Sequence, residues 1–165
     1  QCAVGPLISA RQLARVQQAV AAALARGARL VSAGPENWRA AHGPGHYYPP
    51  TLLADLSALD PLVQEELFGP VAVIQVADDF QHGLELVNGV RQGLLAGLAS
   101  RSAAHQEQFA AACDTGIVID GHGAPIHPAA PFGGRKASQI GPPEHGPWDR
   151  EFFARVKTCY RRPDG

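Results

Sequence analysis

The sequence predicts an α/β fold, a layered parallel sheet built from βαβ units, and three observations predict it. Segments with apolar residues at three- and four-residue spacing alternate with short apolar runs, the order expected of helices and strands in βαβ units. The run 71–76 is β-branched and apolar with little alternation, the pattern of a parallel strand buried on both faces. The chain has 165 residues, 45% of them hydrophobic and 18% charged, enough to bury a core in one domain of ordinary size.

Each element has a local reason. Ser9 stands where an N-cap belongs, and Leu13, Val16, Val20 and Leu24 then recur on one face of an amphipathic helix with Ala between them. Gly27 is a natural stop after that helix, and residues 28–31 read as a short strand. Residues 34–46 are rich in Gly, Pro and polar groups without periodicity, so a surface loop is expected. Residues 47–53 read as extended, and Pro49-Pro50 confine them to a sheet edge or a strand start. Asp60-Pro61 opens a short helix through Gln64 and Glu65. After the run 71–76, Asp78-Asp79 cap a helix carrying Phe80, Leu84 and Val87. Residues 93–98 form the next strand, and Ser102 caps a helix with Phe109 and Cys113 inward. Residues 115–120 form a further strand. Residues 121–147 read as one long loop, of the kind that is usually functional or a linker. Trp148 to Phe153 offers a helical turn or two, and Val156 to Tyr160 alternates as a terminal strand.

Composition excludes several classes of function. A net charge of -1 gives no electrostatic case for nucleic acid or an acidic membrane. No apolar run approaches the roughly 20 residues that span a bilayer, and no secretory leader pattern opens the chain. The three cysteines, Cys2, Cys113 and Cys159, are odd in number and lack C-x-x-C spacing, which suits a reduced cytoplasmic interior. The chain contains no Met and begins with Gln, so it is expected to be processed or, by preference, a piece of something longer.

The stretch Glu65-Glu66-Leu67-Phe68-Gly69-Pro70-Val71 carries the first chemistry. A carboxylate at a helix-to-strand corner, with an aromatic two residues on, can bind sugar hydroxyls and support a ribose face. A helix end and a core Phe before a Gly-Pro turn is the alternative reading of the same residues. The second stretch is Pro131-Phe132-Gly133-Gly134-Arg135-Lys136-Ala137-Ser138, where paired glycines permit close backbone approach. Here the alternative is a tight glycine turn with an exposed basic pair. His42 and His46 are four apart, a metal-ligand spacing on a helix, but they flank Gly-Pro-Gly, and no metal site is expected. His122 and His127 lie in the long loop as substrate contacts or ordinary exposed histidines, and Lys136 reads as a surface lysine, with contact to a cofactor phosphate as the alternative.

Together with the opening Gly5-Pro6-Leu7-Ile8-Ser9 and the segment Tyr47 to Thr51, these two stretches resemble the aldehyde dehydrogenase superfamily from Gly5 to Tyr160. The resemblance implies that residues 1–147 are the part of the catalytic domain after the nucleophilic Cys, and 148–165 a helical turn and an oligomerisation strand. It implies that Glu66 holds the nicotinamide-ribose hydroxyls of NAD or NADP, that Phe68 lies beside that ribose, and that Phe132 lines the aldehyde tunnel. It further implies a homo-oligomer through the terminal strand, or docking against a missing N-terminal half, so the isolated chain is not expected to be a clean monomer.

The chain also departs from the family pattern. Gln139 stands where the family has Gly, and Gly141-Pro142-Pro143-Glu144 is one residue longer than the family's Gly-Arg-Glu. Glu144 is therefore the candidate for the family's proton-relay carboxylate, or else a solvated loop carboxylate. Aldehyde oxidation through a thioester needs a thiolate, a hydride acceptor and a base that activates water. Cys2 echoes the family's nucleophile motif but lies too close to Gly5, and it is read as incidental; Cys113 and Cys159 are read as packing. The chain alone is expected to be inactive. Two rivals remain: a catalytically inactive, oligomerising domain of the same superfamily, and an acyl-phosphate or acyl-CoA reductase sharing the fold.

Overall fold

The computed structural model describes residues 4–34, 44–121 and 127–162. They form two compact units, Gln1–Val90 and Arg91–Gly165.

The first unit is organised by helix α1 (Ala10–Ala25), whose N-cap is Ser9: the Ser9 hydroxyl accepts from the Gln12 N–H, satisfying one of the first-turn donors. The helix ends as expected, with Gly27 at φ 104, a left-handed position that suits glycine. Its inner face differs slightly from the expected one: Val16, Val20 and Ala23 are buried, while Leu24 is exposed. Strands β1 (Arg29–Ala33), β2 (Thr51–Ala54) and β3 (Val71–Ile74) make one sheet in the order β1-β2-β3. The pair β2–β3 is parallel, from Thr51↔Val71 to Ala54↔Ile74, whereas β1 runs antiparallel to β2 with an irregularity between Leu30 and Ser32. Helix α2 (Pro61–Gln64) is capped by Asp60, and α3 (Phe80–Asn88) by Asp79, as their sequences predict.

For this sheet one expectation is narrowed and one changes. Of the two positions open to Tyr47–Leu53, the strand start holds: Pro49-Pro50 precede β2, which then lies in the middle of the sheet with Thr51, Leu53 and Ala54 buried. The strand expected to be buried on both faces, β3, is not: Val71 and Val73 are half-buried, but Ala72 and Ile74 are exposed. An apolar run states what a strand tolerates on each side, and burial of the second side takes a covering layer. The core gathers instead around β2, where Leu53, Val20, Ala23 and Ala28 pack with Tyr48, Leu56, Leu62 and Val71.

In the second unit the run 92–98 serves two sheets. Residues Gln92–Gly93 (β4) pair antiparallel with Arg135–Lys136 (β7), and Leu95–Leu98 (β5) pair parallel with Ile117–Asp120 (β6). The single strand expected there is thus divided at Leu94. Helix α4 (Ala103–Ala112) is capped by Ser102 and buries Phe109, with Cys113 buried just beyond it. The expected long loop also contains ordered pairing, in β7 and in a bridge between Phe132 and Glu144. A 3-10 turn (Gly146–Trp148) leads into α5 (Asp149–Phe153).

The expected terminal strand at 156–160 pairs with nothing among the described residues, and Val156 and Tyr160 are each 94% exposed. A strand is defined by its ladder, and this segment meets no free edge.

Candidate functional site

Glu66 and Phe68 sit at the corner between α2 and β3. Asp60 sets that corner. Its carboxylate accepts from the Leu62 N–H (2.8 Å) and from Arg26 Nε (2.7 Å) and Nη2 (2.8 Å), tying the end of α1 to the start of α2. The hydrogen bonds from Arg26 hold the Asp60 carboxyl below the usual carboxylate range, against the opposing effect of its desolvation and with help from the Leu62 N–H. After α2 the chain turns extended at Glu65, and Phe68 then adopts φ 56. For a bulky residue that left-handed conformation costs about 1–3 kcal/mol and persists only where its surroundings impose it.

The surroundings here are one face of α1. Gln12 Nε2 donates to Leu67 O (2.7 Å) and Phe68 O (3.0 Å), and Arg15 Nη2 donates to Glu66 O (3.2 Å). One position further, Val16 abuts Gly69: a Cβ at Gly69 would lie 2.7 Å from Val16 Cγ2, so any side chain there would displace the buried Val16. Residues 12, 15 and 16 share a helix face and grip four consecutive residues of the corner. The sequence reading singled out neither Gln12 nor Arg15. Their only signal is two long donors off the apolar face of an amphipathic helix, too common a feature to identify them.

With its backbone held, the corner presents side chains outward. Glu66 and Phe68 line a concavity of about 630 Å³ together with Leu62, Val63, Val73 and Gln75. Phe68 is 76% exposed, so the reading of Phe68 as a core residue does not hold. Glu66 is exposed, and only its backbone oxygen is engaged among the described residues. A carboxylate with two unused oxygens beside an exposed ring can accept from a pair of neighbouring hydroxyls while the ring supports an apolar face.

The second unit builds its own cluster around Phe132. Phe132 N donates to Glu144 O (2.7 Å) and Glu144 N to Phe132 O (2.9 Å), so the two residues face each other across a narrow two-stranded turn. The His145 ring lies 5.7 Å from the Phe132 ring, centre to centre, at 33°. Behind Phe132, Gly133 and Gly134 meet the backbone at Gly116, where a Cβ would collide with Gly133 O and come within 2.8 Å of Gly134 Cα. Close backbone approach, predicted from the paired glycines, is thus realised. Gln139 closes the turn: its Oε1 accepts from Gly134 N (3.0 Å), and its Nε2 donates to Gly141 O (3.1 Å) and Pro142 O (2.7 Å).

The structure therefore brings Glu66 and Phe68 together in one unit, and Phe132 and Glu144 together in the other. Cys2, His42 and His122 lie outside the described residues. Cys113 is buried with its sulfur 3.5 Å from Thr115 Oγ1, the packing role expected of it. Cys159 is exposed rather than packed, because its segment has no pairing partner. His46 engages Leu7 through its backbone oxygen, and His127 Nδ1 accepts from Ala129 N (3.1 Å) within a turn. Among the described residues no cluster of His, Cys, Asp or Glu could hold a metal ion, and no helix is long and apolar enough to cross a membrane.

The first unit thus exposes a carboxylate and a ring at one corner, and the second holds an aromatic in a glycine-rich turn, both within an α/β fold. The aldehyde dehydrogenase family model matches residues 1–159, and the chain belongs to that family. Among relatives, it is 37% identical over 160 residues to succinate semialdehyde dehydrogenase [NAD(P)+] of Escherichia coli, covering 96% of this chain and 33% of that protein. It is 29% identical to alpha-ketoglutaric semialdehyde dehydrogenase of Bacillus subtilis, covering 97% of this chain and 33% of the relative. Among solved structures, the Mycobacterium tuberculosis aldehyde dehydrogenase complexed with NAD+ superposes with a TM-score of 0.80 at 32% identity, over 91% of this chain and 30% of that one. A betaine aldehyde dehydrogenase mutant of Staphylococcus aureus superposes with a TM-score of 0.81 at 26% identity, over 90% of this chain and 30% of that one. The chain thus spans about a third of the length of the curated relatives it matches.

Proposed function

We propose that this segment works as part of an NAD(P)-dependent aldehyde dehydrogenase that oxidises an aldehyde to a carboxylic acid. The observation that carries the reading is the corner at Glu66 and Phe68: an unengaged carboxylate and an exposed ring, held over one concavity by a strained and tightly gripped backbone. These residues fit a ribose. Two vicinal hydroxyls can donate to the two oxygens of Glu66, and the Phe68 ring can lie against the sugar. The nicotinamide cofactor, when bound, supplies the hydride acceptor. Glu66 and Phe68 orient its ribose, Phe132 lines the path of the aldehyde, and Glu144 is the candidate proton relay.

No residue of this chain is assigned as nucleophile or water-activating base, and the chain by itself is expected to be inactive. The domain reading is retained, with residues 1–147 in the catalytic domain and 148–165 as an oligomerising end. The exposed segment 156–160 supports it, since pairing on the edge of another subunit would give that segment its missing ladder. Both described cysteines are free, which suits a reduced compartment such as the cytoplasm.

Two experiments test this. NADH formation from NAD+ and simple aldehydes is expected from neither the chain alone nor its Cys2→Ser variant. Activity in the parent that is lost in Cys2→Ser would make Cys2 the nucleophile and overturn the incidental reading. In a full-length protein carrying this segment, Glu66→Gln should weaken NAD+ binding about 10- to 100-fold, the range of roughly 1.5–3 kcal/mol for hydrogen bonds to a charged group. Unchanged affinity would remove Glu66 from the ribose site.

A further inference from the structure

The resemblance leaves two departures unexplained, the glutamine at 139 and the extra residue in Gly141-Pro142-Pro143-Glu144. The structure joins them. The Gln139 amide spans the turn between the segment leaving Phe132 and the segment returning through Glu144. On one side its Oε1 accepts from Gly134 N at 3.0 Å. On the other its Nε2 donates to the carbonyls of Gly141 at 3.1 Å and Pro142 at 2.7 Å. Those two carbonyls belong to the lengthened stretch itself.

Two prolines in succession supply no backbone N–H, so residues 142 and 143 cannot take part in a ladder as donors. The next donor along the chain is Glu144 N, and it bonds to Phe132 O at 2.9 Å. Packing leaves little slack on the way. A Cβ at Gly133 would lie 2.8 Å from Pro143 Cβ and 3.0 Å from Gln139 Oε1. A glycine at 139 would remove one acceptor and two donors together, leaving the longer return strand unheld between Gly134 and Glu144.

We propose that Gln139 is a positioning residue that sets the Phe132–Glu144 pairing by holding the lengthened stretch 141–144 against Gly134. Its amide does for this turn what a shorter return strand would do unaided. It touches neither substrate nor cofactor, and it acts through Phe132 and Glu144. The consequence for the aldehyde path rests on the reading of Phe132 given above, whereas the pairing itself does not.

The test follows the two amides that make the pair. In Gln139→Gly, amide hydrogen exchange at Phe132 and Glu144 should accelerate about tenfold or more, with α4 protected as in the parent. Gln139→Glu keeps the acceptor for Gly134 N but faces two carbonyls with a carboxylate, and it should give the same loss. It also serves if the glycine variant does not fold. Removing Pro143 in the Gln139→Gly background should restore much of the protection, because the shorter strand no longer needs the bridge. A purely local effect of glycine would not be reversed in this way. Parent-like exchange at both amides in Gln139→Gly and Gln139→Glu would overturn the proposal.

In a full-length protein carrying this segment, Gln139→Gly should raise the KM for propanal several-fold and leave NAD+ affinity unchanged. If the amides loosen and Phe132→Ala raises that KM while Gln139→Gly does not, the positioning role is refuted. If Phe132→Ala itself leaves the KM unchanged, the tunnel reading fails, and faster exchange in Gln139→Gly still supports the role of Gln139 in the pairing.

Discussion

Gly116→Ala tests whether the Phe132 turn depends on bare backbone at the start of β6. Gly116 N donates to Gly93 O at 3.0 Å, which fixes the backbone in place. A Cβ there would run into Gly133 O, and it would lie 2.7 Å from Gly133 C and 2.8 Å from Gly134 Cα. Ordinary carbon contacts sit near 3.5–4.0 Å, so the turn must retreat by roughly 1 Å. All three opposing atoms are backbone, so no rotamer change relieves them. Overpacking of this kind costs about 1–3 kcal/mol, and the upper part of that range applies where backbone must move. The loss of glycine freedom in the unfolded chain opposes it by about 0.4–1 kcal/mol. The net expectation is a destabilisation of about 2 kcal/mol, or roughly 4–8 °C in Tm for a chain of this size.

Urea denaturation followed by circular dichroism measures it, with Gly5→Ala as the control. At Gly5 no atom lies within 4 Å of a built Cβ, and its φ is not left-handed. That variant should therefore unfold at the parent midpoint or slightly above it. A Gly116→Ala protein as stable as the parent, alongside a well-behaved Gly5→Ala, would show that the turn yields freely and that the close approach is not a constraint.

Two further outcomes concern the other unit. Gln12→Met keeps the length of the side chain but removes the donors to Leu67 O and Phe68 O. Amide exchange at Val71 and Thr51, whose N–H groups bond to Gly69 O and Pro70 O at this corner, should rise about tenfold or more while α1 stays protected, and unchanged exchange would mean that Gln12 does not hold the corner. Asp60 sets an acid limit. Its folded pKa is depressed by Arg26, so its contribution to stability is complete above its unfolded value of about 3.9 and is lost as pH falls through the folded value. Asp60→Asn should therefore be less stable than the parent near neutral pH and converge towards it in acid. Equal pH dependence of the two urea midpoints would contradict that assignment.

How much could be read from the chain alone depended on range. The N-caps Ser9, Asp60, Asp79 and Ser102 and the stop at Gly27 each act within a few residues, and each stands where its sequence places it. The two site motifs were legible for a related reason, since Gly-Pro and Gly-Gly signal what the backbone must do locally. The roles proposed for Glu66, Phe68 and Phe132 rest on family resemblance, which no spacing rule contains. What escaped the sequence was every feature that needs a second segment. The division of 92–98 between two sheets depends on β7 and β6 arriving from later in the chain. The exposure of β3 and of 156–160 depends on what covers or pairs with them, and an apolar pattern cannot say whether anything does.

Sequence by itself therefore determined the helices with their caps, most of the strands, and the family to which the chain belongs. Tertiary structure decided which side chains hold the motifs in shape. Gln12 reaches carbonyls more than 50 residues away along the chain, and Gln139 binds both sides of a turn whose closure no local rule anticipates. The physical reason is that caps and turns satisfy backbone groups of their own segment. A side-chain amide is satisfied by whichever carbonyls the fold brings within 3 Å or so.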